Sequence, residues 1–544
     1  MKVIIIGGVA GGATAAARLR RLNEQAKIIL LEKGEFISFA NCGLPYYIGG
    51  EITEKSKLIL QSPKSFRNRF NVDVRLQHEA IGIDRSAKTV TIKTYPAGET
   101  YSESYDKLIL SPGAVPILPE IDGIAAERIF TLRTIRDTYK IKEFIDSKKP
   151  KKAVIAGGGY IGLETAENLY RLGMDVTIIQ RSNQVLAPFD YDAACDVHRH
   201  IESKGVHLYL NSDITEKTRQ QPYAGSLRNA DLVIAAIGVV PDSGLARSAG
   251  LALNENGCIV VNSRMLTSDE NIYAVGDAAE VTDFVTGQKA FIPLAGPANK
   301  QGRIAADNIC SIASKYCGTQ GSSILRVFDM TAAATGINEK TAAKMGFRYD
   351  KCFLCQPGHA GYYPDAALMA MKVIFESGSG RILGAQITGY DGVDKRCDVL
   401  ATAIRAGMTA YDLTKLELCY APPYSSAKDP VNMAGFAIEN ILTGKVKQFH
   451  WHNVATLPRG GSIILLDTRT EKEYANGHIG GFINIPLDSL RSRLDELDKN
   501  KTVYVTCQVG QRGYSASRIL SQNGFDVYNL SGGYRLYHSI FGAG

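Results

Sequence analysis

The feature that most constrains the fold is a glycine-rich turn between a short apolar strand and a helix, and it occurs twice. In the first copy, a strand predicted over 2–6 leads into the turn Gly7–Gly12, a helix over 13–22 and a strand over 27–31 that ends at Glu32. This order is typical of a dinucleotide-binding unit, with the pyrophosphate at the helix N-terminus and the acid on a ribose diol. Valine replaces the second glycine of the usual pattern. The residues predicted to bind this dinucleotide are Gly7, Gly8, Ala10, Gly11, Gly12 and Glu32.

The second copy has a strand predicted over 153–156, the full pattern Gly157–Gly162, a helix over 163–172 and a strand over 176–179. That last strand ends in Gln180-Arg181 instead of an acid, so the arginine is a candidate partner for a 2′-phosphate. A surface arginine that accepts either nucleotide fits equally well. Two dinucleotides in one chain indicate a flavin and a nicotinamide held face to face. The residues predicted to bind the second one are Gly157, Gly159, Tyr160, Ile161, Gly162 and Arg181.

Size and composition indicate a multidomain globular protein of 544 residues with a formal net charge of +7. The basic residues are dispersed, so charge does not predict nucleic-acid binding. No apolar run approaches the roughly 18–20 residues that a membrane span needs. The apolar start followed by glycines and arginines is typical of a strand and turn, not of a signal peptide. We therefore expect a cytoplasmic protein whose ten cysteines are mostly reduced.

Two further motifs follow in order, Leu108–Ala114 (LILSPGA) and Asn271–Asp277 (NIYAVGD). Together with the glycine turns, they make the chain similar to the pyridine nucleotide-disulfide reductase family over about residues 1–445. The resemblance implies bound FAD, NAD(P)H as electron donor and a homodimer. It also implies that Asp277 hydrogen-bonds the ribityl chain of the flavin.

A single cysteine, Cys42, follows the first glycine unit in the segment Ser38–Pro45. Many members of the family have two cysteines here, but this chain has no other cysteine before Cys195. Cys42 must therefore exchange electrons with something other than a neighbouring protein thiol. Three oxidised forms are open: a mixed disulfide with a small thiol, a persulfide, or a sulfenic acid.

The segment around Cys42 resembles that of the coenzyme A-disulfide reductases, in which the resting cysteine is linked to coenzyme A. Thr14, Arg18 and Arg21 form one stripe of the first helix, and such a stripe is often only a solvated face. The resemblance assigns it to the phosphates of the coenzyme. Asn299 occupies a substrate-contact position at which a relative has histidine. The residues carried over to coenzyme A are Thr14, Arg18, Arg21, Ser38, Asn41, Asn299 and Lys428.

Two tyrosines, Tyr362 and Tyr420, match tyrosines that the other subunit supplies in these relatives. Their hydroxyls would hydrogen-bond or protonate the departing thiolate. Tyrosine in a proline-rich loop is more often a packing residue, and this alternative stays open.

Three other sequence features bear on a peroxidase or a metal site. NADH peroxidases place a histidine in the first glycine turn, where this chain has Ala10, so a peroxidase is disfavoured. Cys352 and Cys355 form a CxxC pair, but no second pair lies nearby in sequence and no helix follows, so we interpret them as structural. His450 and His452 lack further ligands. No metal site is predicted.

The C-terminal part resembles a single-domain rhodanese over about residues 452–544. A predicted strand, Val503–Thr506, ends at Cys507, and a short loop leads into a helix that begins near Tyr514. Backbone N–H groups of such a loop, together with the helix N-terminus, favour a thiolate or persulfide anion. Arg512 follows the cysteine by five residues. Because the Cys-x5-Arg phosphatases need one residue more, sulfur transfer is preferred.

The predicted fold class is α/β, with two Rossmann-like dinucleotide-binding domains, an α+β dimerisation domain and a C-terminal α/β rhodanese domain. The predicted boundaries are 1–115 and 241–325 for the FAD-binding domain, 116–240 for the NAD(P)H-binding domain, 326–445 for dimerisation, 446–458 for a linker and 459–544 for the rhodanese domain.

The resulting hypothesis is a homodimeric FAD enzyme that uses NAD(P)H to reduce sulfur–sulfur bonds at Cys42. Candidate substrates are coenzyme A disulfide, coenzyme A persulfide and polysulfide, and Cys507 would carry sulfane sulfur. No nucleic-acid or membrane partner is expected. Two alternatives are an NAD(P)H oxidase or peroxidase, and a redox-sensing sulfur carrier whose flavin turns over slowly.

Overall fold

The computed structural model describes residues 1–121, 124–215, 221–459 and 461–542. The predicted rhodanese domain includes Gly460 and the last two residues, which lie outside this described part. The chain forms two compact units, one of residues 1–183 and 206–321, the other of residues 184–205 and 322–544. Among the described residues, no helix has both the length and the apolar character needed to cross a membrane.

The first unit contains two five-stranded sheets in which every pairing is parallel. Strand order in the first sheet is Ile272–Ala274, Lys107–Leu110, Lys2–Ile6, Lys27–Glu32 and Asp73–Leu76. Strand order in the second is His207–Tyr209, Asp175–Ile179, Lys152–Ala156, Leu232–Ala235 and Ile129–Phe130. The helices of this unit are Ala10–Leu22, Leu44–Gly49, Pro63–Phe70, Ile135–Lys148, Tyr160–Arg171, Ala224–Arg228, Gly244–Ser248 and Ala295–Ile309.

Smaller antiparallel sheets complete the first unit. Their strands are His78–Asp84, Thr89–Thr94 and Thr100–Ser104 in one sheet, Ala114–Pro116 with Val239–Pro241, and Val281–Thr282 with Lys289–Ala290. The central strands of the parallel sheets are buried on both faces, as crossover helices require, and therefore consist of continuous apolar runs.

The two glycine turns have the same geometry, which explains why glycine is required at their first and last positions. Gly7 and Gly157 have positive φ values of 96° and 104°. A Cβ on Gly12 would lie 1.9 Å from the carbonyl oxygen of Gly7, and one on Gly162 would lie 2.0 Å from that of Gly157. Both helices begin inside the glycine pattern, at Ala10 and Tyr160, three residues before the predicted starts.

The second unit contains a five-stranded antiparallel sheet and a five-stranded parallel sheet. The antiparallel order is Ser323–Val327, Met330–Gly336, Ile382–Gly389, Leu368–Glu376 and Tyr349–Pro357. The parallel order is Lys447–Phe449, Val527–Leu530, Val503–Thr506, Ile464–Asp467 and Ile483–Asn484. The helices are Tyr191–Ser203, Glu339–Lys344, Val393–Arg405, Ala410–Leu413, Pro430–Leu442, Glu471–Ala475, Leu487–Leu490, Gln511–Gln522 and Gly533–Phe541.

A buried lysine ties parts of the second unit together. The Nζ of Lys372, on the antiparallel sheet, lies 2.7 Å from Asp192 and 3.0 Å from Asp190, and it also pairs with Glu339. Trp451 Nε1 donates to the other oxygen of Asp192 at 3.1 Å. A buried cation needs compensating charge, and the three carboxylates supply it. They hold the helix Tyr191–Ser203 against this sheet.

Two sequence predictions about this unit can be compared directly with the structure. Cys352 and Cys355 lie on the strand Tyr349–Pro357, and both are buried, in agreement with a structural role. The strand Lys447–Phe449, inside the predicted linker, pairs with Val527–Leu530 at the edge of the parallel sheet. The predicted fold class is confirmed, while the exact domain boundaries stay predictions.

Candidate active site

The first glycine turn forms a cradle of backbone N–H groups. The N–H of Gly8 donates to Glu32 Oε2 at 2.9 Å, and the N–H of Gly34 donates to Glu32 Oε1 at 2.8 Å. A Cβ on Gly11 would lie 2.9 Å from Ser111 Oγ. Glycine at this position therefore keeps the helix N-terminus open, so that a ligand can approach closely. The helix dipole and the backbone N–H groups at this helix N-terminus favour a pyrophosphate.

The second turn repeats this arrangement with one change of side chain. The N–H of Gly158 donates to the amide oxygen of Gln180 at 2.8 Å, where the first turn uses a carboxylate. Open space surrounds the Cα of Gly159, and Ile161 is exposed. Arg181, which follows the strand, is exposed as well. The turn is therefore open on the side where a nucleotide would bind.

Asp277 lies in a short 3₁₀ turn next to the first sheet, where Arg133 Nη2 lies 2.9 Å from its Oδ2. Nearby, the Gln301 amide oxygen accepts the N–H of Gly276 at 2.7 Å. The Gln301 side chain is only 1% exposed, and its Nε2 has no hydrogen-bond partner within the described residues. A buried amide without a partner is costly, and a bound polar ligand would satisfy it. These groups and the glycine cradle fit an FAD.

Cys42 lies in a 3₁₀ turn, Asn41–Gly43, that leads directly into the helix Leu44–Gly49. The residue is solvent-accessible, yet the surrounding protein partly desolvates its thiol and raises its pKa. The negative charges of Glu164 and Asp277 also raise this pKa, whereas Arg133 lowers it. The thiol is thus controlled by charged groups that are distant in sequence.

The residues predicted to bind coenzyme A are partly brought together. The Thr14 hydroxyl donates to Asn299 Oδ1 at 2.7 Å, which joins two separate helices. Arg18 pairs with Asp307 at 2.7 Å, so this arginine has a partner within the protein. Arg21 is exposed and lies 6.0 Å from the Phe70 ring centroid. Ser38 and Asn41 lie in the loop that precedes Cys42, and Lys428 is an exposed residue of the second unit.

The two predicted tyrosines lie together in the second unit. The hydroxyls of Tyr362 and Tyr420 are 2.8 Å apart, and the residues are 76% and 48% exposed. His359 supports the loop before Tyr362: its Nε2 lies 2.9 Å from the carbonyl oxygen of Pro364 and its Nδ1 lies 3.2 Å from Asp391. Two aromatic hydroxyls at hydrogen-bonding distance can share or pass on one proton.

Cys507 lies at the end of the strand Val503–Thr506, as predicted, and its side chain is completely buried. The N–H of Gly510 donates to its Sγ at 3.1 Å. Burial raises the pKa of the thiol, while N–H groups of Gly513, Val509 and Gly510 oppose this rise. The expectation of a thiolate favoured by the loop alone was therefore incomplete, because desolvation is the larger effect.

Arg512 does not point freely into the loop. Its guanidinium makes a bidentate pair with Glu473 at 2.6 and 2.7 Å, and this pair lowers the pKa of Glu473 to about 2. A second arginine, Arg469, is buried, pairs with Asp467 at 2.7 Å and donates to Gln508 Oε1 at 3.3 Å. Arg469 was not predicted from the sequence, although the Asp467-Thr468-Arg469 triplet at the end of its strand is a usable signal.

Four other residues around Cys42 escaped the sequence analysis: Tyr46, Arg133, Glu164 and Gln301. None belongs to a short motif used to locate the cysteine. Two of them have a local signal: Tyr46 lies four residues after Cys42, and Glu164 lies two residues after the second glycine turn. Arg133 and Gln301 come from segments that are distant in the chain.

Two dinucleotide cradles on separate parallel sheets, with a single cysteine beside the charged groups of the first, define a flavin-dependent pyridine nucleotide oxidoreductase. The family described as pyridine nucleotide-disulphide oxidoreductase matches residues 1–302, and its dimerisation domain matches residues 323–430. A rhodanese-like domain matches residues 452–539. The chain belongs to the pyridine nucleotide-disulphide oxidoreductase family, is an enzyme and uses FAD and NAD(P)H.

Several relatives share most of the chain. A coenzyme A disulfide reductase of Staphylococcus epidermidis is 37% identical over 445 residues, which cover 80% of this chain and 99% of that protein. The reduced Bacillus anthracis CoADR-RHD is 49% identical, with a TM-score of 0.95 over 99% of this chain and 98% of that one. An NAD-dependent persulfide reductase from A. fulgidus is 39% identical, with a TM-score of 0.91 over 99% and 100%.

Proposed function

We propose that this enzyme reduces the sulfur–sulfur bond of coenzyme A disulfide, coenzyme A persulfide or polysulfide at Cys42. The observation that carries the proposal is the place of this single thiol, directly after the first dinucleotide unit and next to Arg133 and Asp277. The similarity to a coenzyme A disulfide reductase and to a persulfide reductase supports the same substrate class.

Coenzyme A is the thiol partner that the surface near Cys42 favours. Thr14, Arg21 and the bridged Asn299 present polar or positive groups along the first glycine helix and its neighbour. Arg18 adds positive charge, although Asp307 neutralises part of it. Together with Ser38, Asn41 and Lys428, these residues are proposed to hold the phosphates and the pantetheine arm.

FAD, when bound, supplies two-electron transfer from NAD(P)H to the sulfur at Cys42. The chain's own residues act on the charge of the Cys42 thiolate: burial and Glu164 disfavour this charge, whereas Arg133 favours it. The Cys42 thiolate then attacks the next disulfide, so that a new sulfur–sulfur bond forms at Cys42 and one thiolate departs. Asp277 and the glycine cradle around Gly8 position the flavin.

We infer a homodimer, in which Tyr362 of the partner subunit and Tyr420 of the partner subunit stabilise the departing thiolate. The support is the match to the dimerisation domain of the family and the hydrogen bond between the two exposed hydroxyls. A phenol that donates to a developing thiolate lowers the cost of its charge.

Tyr362→Phe is expected to lower kcat for coenzyme A disulfide reduction by about tenfold to a hundredfold, because one of two shared donors is lost. Stopped-flow or steady-state NAD(P)H oxidation measures this change. Tyr424→Phe is the matched control, since Tyr424 is a comparably exposed tyrosine of the same loop region and should retain wild-type turnover. Equal rates for both variants would remove Tyr362 from the mechanism.

The rhodanese domain is proposed to carry sulfane sulfur on Cys507, with Arg512 and Arg469 shaping the loop. A fused sulfur carrier favours persulfide or polysulfide as one physiological substrate. We also propose a cytoplasmic location, because a reducing compartment keeps a redox cysteine such as Cys42 available as a thiol.

One experiment tests the proposal as a whole. Mass spectrometry of the purified native protein is expected to find coenzyme A or a sulfane sulfur on the peptide containing Cys42. In parallel, NAD(P)H oxidation is measured with coenzyme A disulfide, coenzyme A persulfide, polysulfide, oxygen and hydrogen peroxide. Faster oxidation with oxygen or peroxide than with every sulfur substrate would replace the proposal with an oxidase or peroxidase.

A further inference from the structure

The helix that follows Cys42 packs against the helix of the second glycine turn. A Cβ on Gly49, at the end of the first helix, would lie 2.0 Å from the side-chain oxygen of Asn168 on the second. Across this tight contact, the Tyr46 hydroxyl donates to Glu164 Oε1 at 3.1 Å. The pair joins the segment of the redox cysteine to the nicotinamide-binding helix.

Glu164 is a carboxyl group in an unusual setting. Its pKa is raised to about 7, because the upward effect of burial outweighs the downward effect of the Tyr46 hydrogen bond and the charge of Glu167 adds to the rise. Charged or titratable groups around it include Cys42 and, on its own helix, Glu167 and Arg171, which pair at 2.6 Å; Arg171 also contacts Glu51. The group therefore changes charge near neutral pH.

Glu164 and Cys42 sense each other's charge. An ionised Glu164 raises the pKa of the Cys42 thiol, and a thiolate at Cys42 must raise the pKa of Glu164 in return. Two nearby groups that each prefer the other to be neutral titrate as a pair. When Cys42 is in a disulfide it carries no charge, so it no longer raises the pKa of Glu164.

We propose that Glu164 is a positioning residue for the proton of this reaction, and that it binds one proton when Cys42 is reduced and releases it when Cys42 is oxidised. The inference rests on the proposed redox role of Cys42. It gives the Tyr46–Glu164 pair a role in holding the proton, which neither the glycine turns nor Cys42 can fill.

The step balances in electrons and protons. Reduction of a Cys42 mixed disulfide by NAD(P)H breaks one sulfur–sulfur bond and yields the Cys42 thiolate, a free thiolate, NAD(P)⁺ and one proton. The Glu164 carboxylate takes up that proton. When the Cys42 thiolate later attacks a disulfide, its charge moves to the departing thiolate, and Glu164 returns the proton through solvent.

The test is the pH dependence of Cys42 alkylation in the NAD(P)H-reduced holoenzyme. Iodoacetamide labelling is followed by peptide mass spectrometry, which separates Cys42 from the exposed Cys317 and Cys419. The wild-type profile is expected to show an inflection near pH 7 in addition to the thiol titration, because ionisation of Glu164 suppresses the thiolate.

Glu164→Gln is expected to remove the inflection and to increase the alkylation rate at pH 7.5 to 8 by about threefold to tenfold, because the charge that raises the pKa of Cys42 is gone. Tyr46→Phe removes the donor to the carboxylate, so the inflection should move to higher pH. Glu51→Gln is the matched control on the same helix contact and should keep the wild-type profile.

An unchanged inflection in Glu164→Gln, or in Tyr46→Phe if the first variant does not fold, overturns the inference. The proposed function fails by a different result, namely undiminished sulfur reduction after Cys42 has been replaced. The two failures are therefore distinguishable, and a structural role of Glu164 alone would not move the pH profile.

Discussion

Cys42→Ser is expected to abolish NAD(P)H-dependent reduction of coenzyme A disulfide, persulfide and polysulfide, with a loss in kcat/KM of about four orders of magnitude or more. A serine oxygen cannot form the mixed disulfide or persulfide on which turnover depends, and no cysteine lies between residue 42 and Cys195 to replace it. The loss is measured as substrate-dependent NAD(P)H oxidation at saturating nucleotide.

The flavin should remain bound in this variant, because the glycine cradle, Glu32 and Asp277 are unchanged. Its visible absorbance and its reduction by NAD(P)H in the absence of a sulfur substrate check this point. Cys317→Ser, at another exposed thiol of the first unit, is the matched control and should turn over normally. Wild-type sulfur reduction by Cys42→Ser would refute the central claim.

Cys507→Ser is expected to abolish sulfur transfer from thiosulfate to a thiol acceptor, with a loss of about three orders of magnitude or more. The buried sulfur, which accepts the N–H of Gly510, has no substitute in this loop. Reduction of coenzyme A disulfide should stay at the wild-type rate, since this substrate contains no sulfane sulfur. The same variant thus separates the two sulfur sites.

Sulfide release from persulfide and polysulfide decides how far the two sites cooperate. If Cys507 delivers sulfane sulfur for reduction at Cys42, the variant should release sulfide more slowly from at least one of these substrates. If every sulfur substrate is reduced at the wild-type rate, Cys507 is not required for reduction, and the domain acts separately. A Cys317→Ser protein again provides the control.

Much of the fold could be predicted because its determinants are local. A buried strand, a glycine turn and a helix are adjacent in sequence, so the dinucleotide units were recognisable from residue order alone. The strand Val503–Thr506 before Cys507 was predicted with its observed bounds. The helix starts were three residues late, because the last glycines of each turn already belong to the first helical turn.

The electrostatic surroundings of the two cysteines could not be predicted in this way. Arg133 and Glu164 reach Cys42 from segments that are distant in the chain, and their effects depend on how completely packing excludes water. The same holds for Cys507, where the loop N–H groups were expected but the larger effect of burial was not. The ion pair of Arg512 could not be predicted either: its guanidinium binds Glu473 in the folded domain.

The sequence by itself determined the family, the two dinucleotide turns, the single Cys42 and the fused rhodanese loop, because each depends on residues that are neighbours along the chain. Only the tertiary structure decided which charges act on those residues. It placed Glu164 against Tyr46 and near enough to Cys42 to raise the pKa of that thiol, joined Thr14 to Asn299, and paired Arg18 with Asp307. Charge, burial and pKa depend on distances in space, and a sequence pattern does not contain those distances.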